Sequence, residues 1–216
     1  MLRSARRRGH TLVEMSVAVA VLGVVLGAVG MFQMLGNDQT EALIERSALD
    51  SRAQRALNRI VGELTGVGQS LLVPDPNSAL GTASLSYRHP VGVDAAGTLS
   101  WGPPSQLLFE ADPRDPDNGL DDDSDGLVDE CQLVLLRVTG PSGPATRTVL
   151  CTDVAPTAGS EAINGLDDDA DGIVDESGFH VRRTGDLLII HLSVLEARRK
   201  GEPLRADLGA CVVLRN

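Results

Sequence analysis

Residues 15–32 are apolar at every position except Ser16 and carry no charge. With Leu12 and Val13 counted, the run approaches the roughly 20 residues that a membrane-spanning helix needs. From Asn37 the chain turns polar, yet Leu49, Ala53, Leu57, Ile60, Leu64, Val67 and Leu71 still recur at steps of three or four. That spacing predicts one apolar face of an amphipathic helix. Glu41, Glu45, Arg52, Arg55 and Arg59 fall mostly off the stripe, and Gly66 and Gly68 offer a stop. Beyond residue 71 the pattern shortens to strand-like runs separated by turn residues. They lie at 83–87, 97–101, 106–110, 131–138, 146–152, 179–183, 187–194 and 210–215, with 72–82 and 88–96 read as loops. The stretch TGPSGPA after Val138 is a strong turn signal, so 131–152 reads as a hairpin. The expected class is therefore α+β: a membrane helix over 10–36, its amphipathic continuation over 37–70, and a β-sheet domain over 71–216.

Charge changes this picture in one place. The net charge is −11, but residues 110–130 and 161–176 hold 17 of the 30 acidic residues, and the remainder of the chain is slightly basic. Acidity this local points to cation sites rather than to a generally acidic, disordered chain. Both segments contain the same loop: NGLDDDSDGLVDE, from Asn118 to Glu130, recurs as NGLDDDADGIVDE, from Asn164 to Glu176. The intervening sequence does not repeat, so this is a duplicated loop and not a solenoid.

Each copy places aspartates at alternate positions ahead of a glycine: Asp121, Asp123, Asp125 and Gly126, then Asp167, Asp169, Asp171 and Gly172. This is the first half of an EF-hand-like calcium loop. A hard cation takes six to eight oxygens, and alternate residues in a tight loop aim carboxylates inward. Backbone carbonyls of Leu127 and Ile173 would fill the seventh position, and Asp129 and Asp175 the ninth, while Val128 and Val174 would turn into the core. The twelfth position, normally a bidentate glutamate, is Gln132 or Gly178, and Glu130 and Glu176 come two residues early. The loops, 117–130 and 163–176, thus resemble the short aspartate-rich calcium repeats of bacterial surface proteins and thrombospondin-type repeats more than true EF-hands. No His, Cys or Met lies inside them, which favours a hard ion, and magnesium prefers fewer protein ligands. The expectation is two calcium sites. The competing reading is a pair of solvated acidic loops, whose carboxylates would repel one another.

Cys131, Cys151 and Cys211 form no C-x-x-C pair, which argues against a zinc ribbon or thioredoxin-like site. Folding the hairpin brings Cys131 and Cys151 near its open end, where a disulfide is one expectation and free thiols the other. Aromatics make up 2% of the chain and no basic patch is interleaved with them, so no nucleic-acid partner is expected. His10, His89, His180 and His191 are scattered, and no nucleophile elbow, phosphate loop or histidine pair appears. The chain reads as a non-enzyme.

The N-terminus carries the strongest signal. Arg6, Arg7 and Arg8 precede the apolar run and favour a cytoplasmic N-terminus. Glu14 at the edge of that run is costly without a partner and is a functional residue by default. A cleaved secretory signal ending near Ala28-Val29-Gly30, or a plain anchor, gives it no role. The stretch RRRGHTLVEM resembles the processing signal of type IV pilins and type II secretion pseudopilins. The resemblance implies cleavage by a prepilin peptidase between Gly9 and His10, removing a leader of residues 1–9, and methylation of the new N-terminus. Glu14 becomes the fifth mature residue and pairs with the N-terminal amine of a neighbouring subunit. The family usually has phenylalanine where this chain has His10, and major pilins often have proline where it has Met31. RALNRIVGELTGVGQS resembles the end of the amphipathic helix in PilW-type minor pilins, and the ending GACVVLRN resembles the closing strand of many minor pilins; with the cysteines, the chain length and Glu14, the ending fits a PilW-like or GspJ-like minor subunit better than a major pilin. The implied fold is a long helix packed on an antiparallel sheet. The implied partners are other pilins or pseudopilins and the inner-membrane assembly platform, first in the inner membrane and then in the periplasm or at the cell surface. The rival reading is a secreted or membrane-anchored calcium-binding surface or adhesive module, unrelated to pilus assembly.

Overall fold

The computed structural model describes residues 11–77, 81–138, 143–159, 161–168, 170, 173–198 and 202–214. One helix, α1, spans Leu12–Leu64. Contacts divide the chain into a unit ending at Ser47 and a second from Ala48 onward, and α1 contributes to both. In the first unit the stretch Leu12–Met34 is long and apolar enough to cross a membrane, and none of it is covered by protein. Leu12, Val24 and Phe32 are 88%, 74% and 81% exposed. A helix apolar all round is stable only where lipid or other helices cover it.

The second unit is an α+β domain. The turn of α1 that begins with Ala48 opens a stripe in which Leu49, Ala53, Leu57, Ile60 and Leu64 are buried, as the three-and-four spacing requires. Gly66 ends the helix in the left-handed region, with φ +83, where a residue without Cβ is under no strain. A short 3-10 turn, Gln69–Leu71, follows.

Seven strands are present among the described residues: β1 Leu85–Val93, β2 Leu99–Ala111, β3 Cys131–Val138, β4 Ala145–Val154, β5 Phe179–Thr184, β6 Leu187–Glu196 and β7 Leu204–Val213. All pairings are antiparallel. Strands β1-β2-β3-β4 form one run, and β6 pairs β5 on one side and β7 on the other. The two groups meet at a single pair, Val154 with Val194, where β4 takes over beside β6 from β5. Along β6 the buried residues alternate as Leu188, Ile190, Leu192 and Val194. They join Leu85, Tyr87, Leu107, Leu133 and Phe179 in one core with the α1 stripe.

Two expected runs, 97–101 and 106–110, are one strand, and much of the expected loop 88–96 is strand as well. Pro90 lies in β1, an edge strand whose register against β2 shifts on both sides of it, a place where a missing N–H donor is tolerated. Pro103 and Pro104 lie in β2 ahead of Ser105, where its pairing with β3 begins, so among the described residues that part of β2 pairs with β1 alone. The last strand also begins earlier than expected, at Leu204.

Two polar clasps fix α1 to the sheet about three turns apart. Arg52 pairs with Asp153 of β4 at 2.7 Å and Glu196 of β6 at 3.4 Å. Glu63 accepts from Arg137 of β3 at 2.5 and 2.6 Å and from the Tyr87 hydroxyl at 3.3 Å. Burial, and then the Glu63 charge, push the Tyr87 phenol well above its ordinary range.

Gly178 precedes β5 where the chain passes against Ala155, and its N–H donates to the Pro156 carbonyl at 3.2 Å. A Cβ there would sit inside the contact radius of the Ala155 carbonyl oxygen. Gly178→Ala is expected to destabilise the domain by about 1–3 kcal/mol, read as a lower urea midpoint. An unchanged midpoint would show that this crossing is loose.

Candidate metal loops and the processed N-terminus

The two acidic loops connect β2 to β3 and β4 to β5, so both lie at one end of the sheet, at the open end of the β3–β4 hairpin. Their backbones repeat as their sequences do. Gly119 and Gly165 have φ 79 and 77, Ser124 and Ala170 both 62, and Asp129 and Asp175 54 and 52. In the first loop, Asp125 N–H donates to Asp123 at 3.2 Å, Gly126 N–H to Asp121 at 3.1 Å and Leu127 N–H to Asp125 at 2.9 Å. Each aspartate thus has one oxygen held by the backbone. Carboxylate oxygens of Asp121, Asp123 and Asp125 lie within 4.8 Å of one another, a spacing that one hard cation can bridge. In the second loop Asp167 is described, whereas Asp169, Asp171 and Gly172 lie outside the described residues.

Asp129 and Asp175, expected at a ninth ligand position, hold the start of their loops. Each carboxylate accepts from the backbone N–H of the first two loop residues: Asn118 and Gly119 at 2.8 and 2.9 Å, Asn164 and Gly165 both at 2.9 Å. They close the loop on itself. The expected inward valines are also corrected. Val128 and Val174 are 50% and 38% exposed, whereas Leu127 and Ile173 are 4% and 2% exposed. The aspartate after each valine sits in the left-handed region, and it is the leucine or isoleucine, one residue earlier, that enters the interior.

Asp115 and Glu161 were not singled out from the sequence, although both are buried and 46 residues separate them, as they separate the loops. Asp115 accepts from Asp122 N–H at 2.8 Å and Asp129 N–H at 2.7 Å; Glu161 accepts from Asp168 N–H at 2.8 Å and Asp175 N–H at 3.1 Å. Those backbone donors, Asp122 foremost, hold the Asp115 carboxyl below its ordinary value. The pairs Asp112 N–H to Glu130 carbonyl and Ala158 N–H to Glu176 carbonyl, at 3.1 and 2.8 Å, repeat at the same offset. The duplicated unit therefore runs from 112 to 130 and from 158 to 176, longer than the matching sequence.

Glu130 is fully buried, Glu176 nearly so. Neither Glu130 oxygen has a hydrogen-bond partner, and burial pushes its carboxyl up to about 8. Its oxygens lie within 4.8 Å of Asp125 and Asp153. The expected meeting of Cys131 with Cys151 does not occur. Cys131 stands opposite Val154 and Cys151 opposite Leu133, with register shifts around Leu133, and all three cysteines are free.

At the other end of the chain, Gly9 and His10 lie outside the described residues. Glu14 lies in the first turn of α1. Its carboxylate accepts from Thr11 N–H at 2.8 Å, and Glu14 N–H donates to the Thr11 hydroxyl at 3.3 Å. This reciprocal pair is a capping box, readable in the sequence as T-x-x-E. It gives Glu14 a local role in starting the helix.

Residues 4–30 match the prokaryotic N-terminal methylation motif. No curated protein and no solved structure matches the chain. The motif is that of type IV pilin- and pseudopilin-like proteins, which are structural rather than enzymatic. It implies processing by prepilin peptidase and assembly with other pilins. Together with the apolar stretch Leu12–Met34, which it overlaps, it is consistent with anchoring in the inner membrane.

Replacing Asp115 by Ala removes the acceptor of two backbone N–H groups and is expected to open the first loop alone. Limited proteolysis should then cut within 116–129 while 162–175 stays as resistant as in the parent chain. Identical digestion of the two proteins would mean that Asp115 does not hold the loop.

Proposed function

We propose that the chain is a minor pilin or pseudopilin, a structural subunit that primes or joins a type IV pilus or a type II secretion pseudopilus, with two calcium-binding loops stabilising its globular domain. The observation that carries the assembly reading is the methylation motif over residues 4–30, which takes in most of the apolar stretch Leu12–Met34 and the carboxylate near its start. Cleavage between Gly9 and His10 leaves a free amine four residues before Glu14. In hydrocarbon, an amine and a carboxylate on neighbouring subunits attract far more strongly than in water, and each alone is costly. The arginines ahead of the helix keep the N-terminus cytoplasmic and place the sheet domain outside.

Calcium is supported by the spacing of Asp121, Asp123 and Asp125 and by an all-oxygen donor set. Outside the cell that ion is abundant, so even weak sites fill, and binding adds to folding stability. The two loops sit where β2–β3 and β4–β5 connect, so ions there would brace one end of the sheet.

Two outcomes are expected. Glu14→Gln keeps the capping box, since glutamine serves at that position, but removes the charge. The variant should be inserted and processed to an N-terminus at His10, as read by mass spectrometry, yet be absent from the sheared filament fraction. Normal incorporation would remove the ion pair from the assembly mechanism, and a mature N-terminus near Met31 would replace the reading by a secreted surface module. Chelating calcium should lower the melting temperature by several degrees, since saturation at about 100 times Kd is worth about 2.7 kcal/mol. An unchanged melting temperature and protease pattern would leave the loops as solvated turns.

A further inference from the structure

We propose that the cation site of the first loop is completed from outside the loop, by Asp153 of β4, with Glu130 as its deepest ligand. The inference rests on reading that loop as a calcium site and adds a ligand that no loop motif contains. Carboxylate oxygens of Asp125, Glu130 and Asp153 lie within 4.8 Å of one another, and Asp125 also belongs to the Asp121–Asp123–Asp125 group. Oxygens bound at about 2.3–2.6 Å to one ion are separated by at most about twice that length, so Asp125, Glu130 and Asp153 can hold one calcium, and Asp125 links that group to Asp121 and Asp123.

Glu130 supplies the independent observation. It is fully buried, and both of its oxygens lack a hydrogen-bond partner. A buried carboxylate without donors is strongly unfavourable. Two arginines reach the rim of the cluster: Arg114 pairs with Asp112 at 2.9 Å and reaches Asp123 at 4.0 Å, and Arg52 pairs with Asp153. Neither ion pair includes Glu130 or Asp125, whereas a divalent cation would be shared by Asp125, Glu130 and Asp153.

Asp153 suits the task. It stands two residues beyond Cys151 in β4, in the left-handed region at φ 54, and its side chain is 15% exposed. Its oxygen Oδ2 accepts from the Thr152 hydroxyl at 3.2 Å and faces the Arg52 guanidinium at 2.7 Å. Arg52 also donates to the Leu195 carbonyl and reaches Glu196 at 3.4 Å. A cation that draws Asp153 inward therefore leaves Arg52 with two other partners. The guanidinium and the ion compete for one carboxylate, so Arg52 sets how tightly the ion is held. The ion in turn links the β2–β3 loop to β4, and the clasp links β4 to α1.

The test uses the full chain in detergent, stripped with chelator and titrated with calcium by calorimetry, with bound ions counted by native mass spectrometry. Asp153→Asn and Glu130→Gln are each expected to weaken one calcium at least tenfold and leave the other unchanged, as Asp121→Asn does, while Asp167→Asn affects the other ion. Arg52→Gln is expected to bind that first calcium at least as tightly as the parent, because it removes a competitor. Loss of affinity in Arg52→Gln parallel to that in Asp153→Asn would make Asp153 a structural partner of α1 and overturn the proposal. So would Asp153→Asn binding like the parent while Asp121→Asn is weakened, an outcome that keeps the loop site itself. If the parent chain binds no calcium at millimolar concentration, the loop reading fails, and the proposal with it.

Discussion

One face of α1 must be buried, and the sheet is what buries it. Leu49, Ala53, Leu57, Ile60 and Leu64 have almost no exposed surface, and at about 25 cal/mol per Å² of apolar area such a stripe dominates the stability of so small a domain. The strands then arrange themselves around that stripe. β6 puts every second residue beneath it, and the two strand groups need only one shared pair, Val154 with Val194, because the helix and the common core hold them together. The polar clasps at Arg52 and Glu63 fix the rotation and height of a helix that hydrophobic burial alone would leave free to slide.

The same arrangement explains why the acidic loops lie where they do. A β2–β3 connection and a β4–β5 connection must emerge at the same end of an antiparallel run. Duplicating one loop therefore placed two concentrations of carboxylate on one edge of the domain. The first copy manages its repulsion by giving one oxygen of most of its aspartates to a backbone N–H. Asp115 and Glu161 each accept from two backbone N–H groups of their loop. Among the described residues no hydrogen-bond partner is found for the Glu130 carboxylate, which sits where the first loop meets β3.

At the N-terminus Thr11 and Glu14 satisfy the first N–H groups of the helix reciprocally, which matters more in a bilayer than in water because no solvent is available to do so. The proposed pairing of the same carboxylate with a neighbouring subunit is separable from this local role, because glutamine could perform only the local one.

The sequence by itself determined the elements whose periodicity is long or whose chemistry is local. The apolar run, the α1 stripe, the hairpin from Cys131 to Val154 and the alternation in β6 are all legible, because burial of one face imposes a fixed period on the residue types. The methylation motif and the alternate aspartates are legible for a related reason: each is a pattern of adjacent residues. Tertiary structure decided what depends on partners distant in the chain. Pro90 is carried by an edge strand, and Pro103 and Pro104 by the part of β2 that precedes its pairing with β3. Cys131 and Cys151 miss each other because the β3–β4 register shifts near Leu133. Leu127 rather than Val128 turns inward because the backbone reverses at Asp129. Asp153 reaches the first loop only because β4 folds back beside β3. A one-residue slip in a strand or turn sends a side chain to the opposite face, and no local pattern records which register the completed sheet will choose.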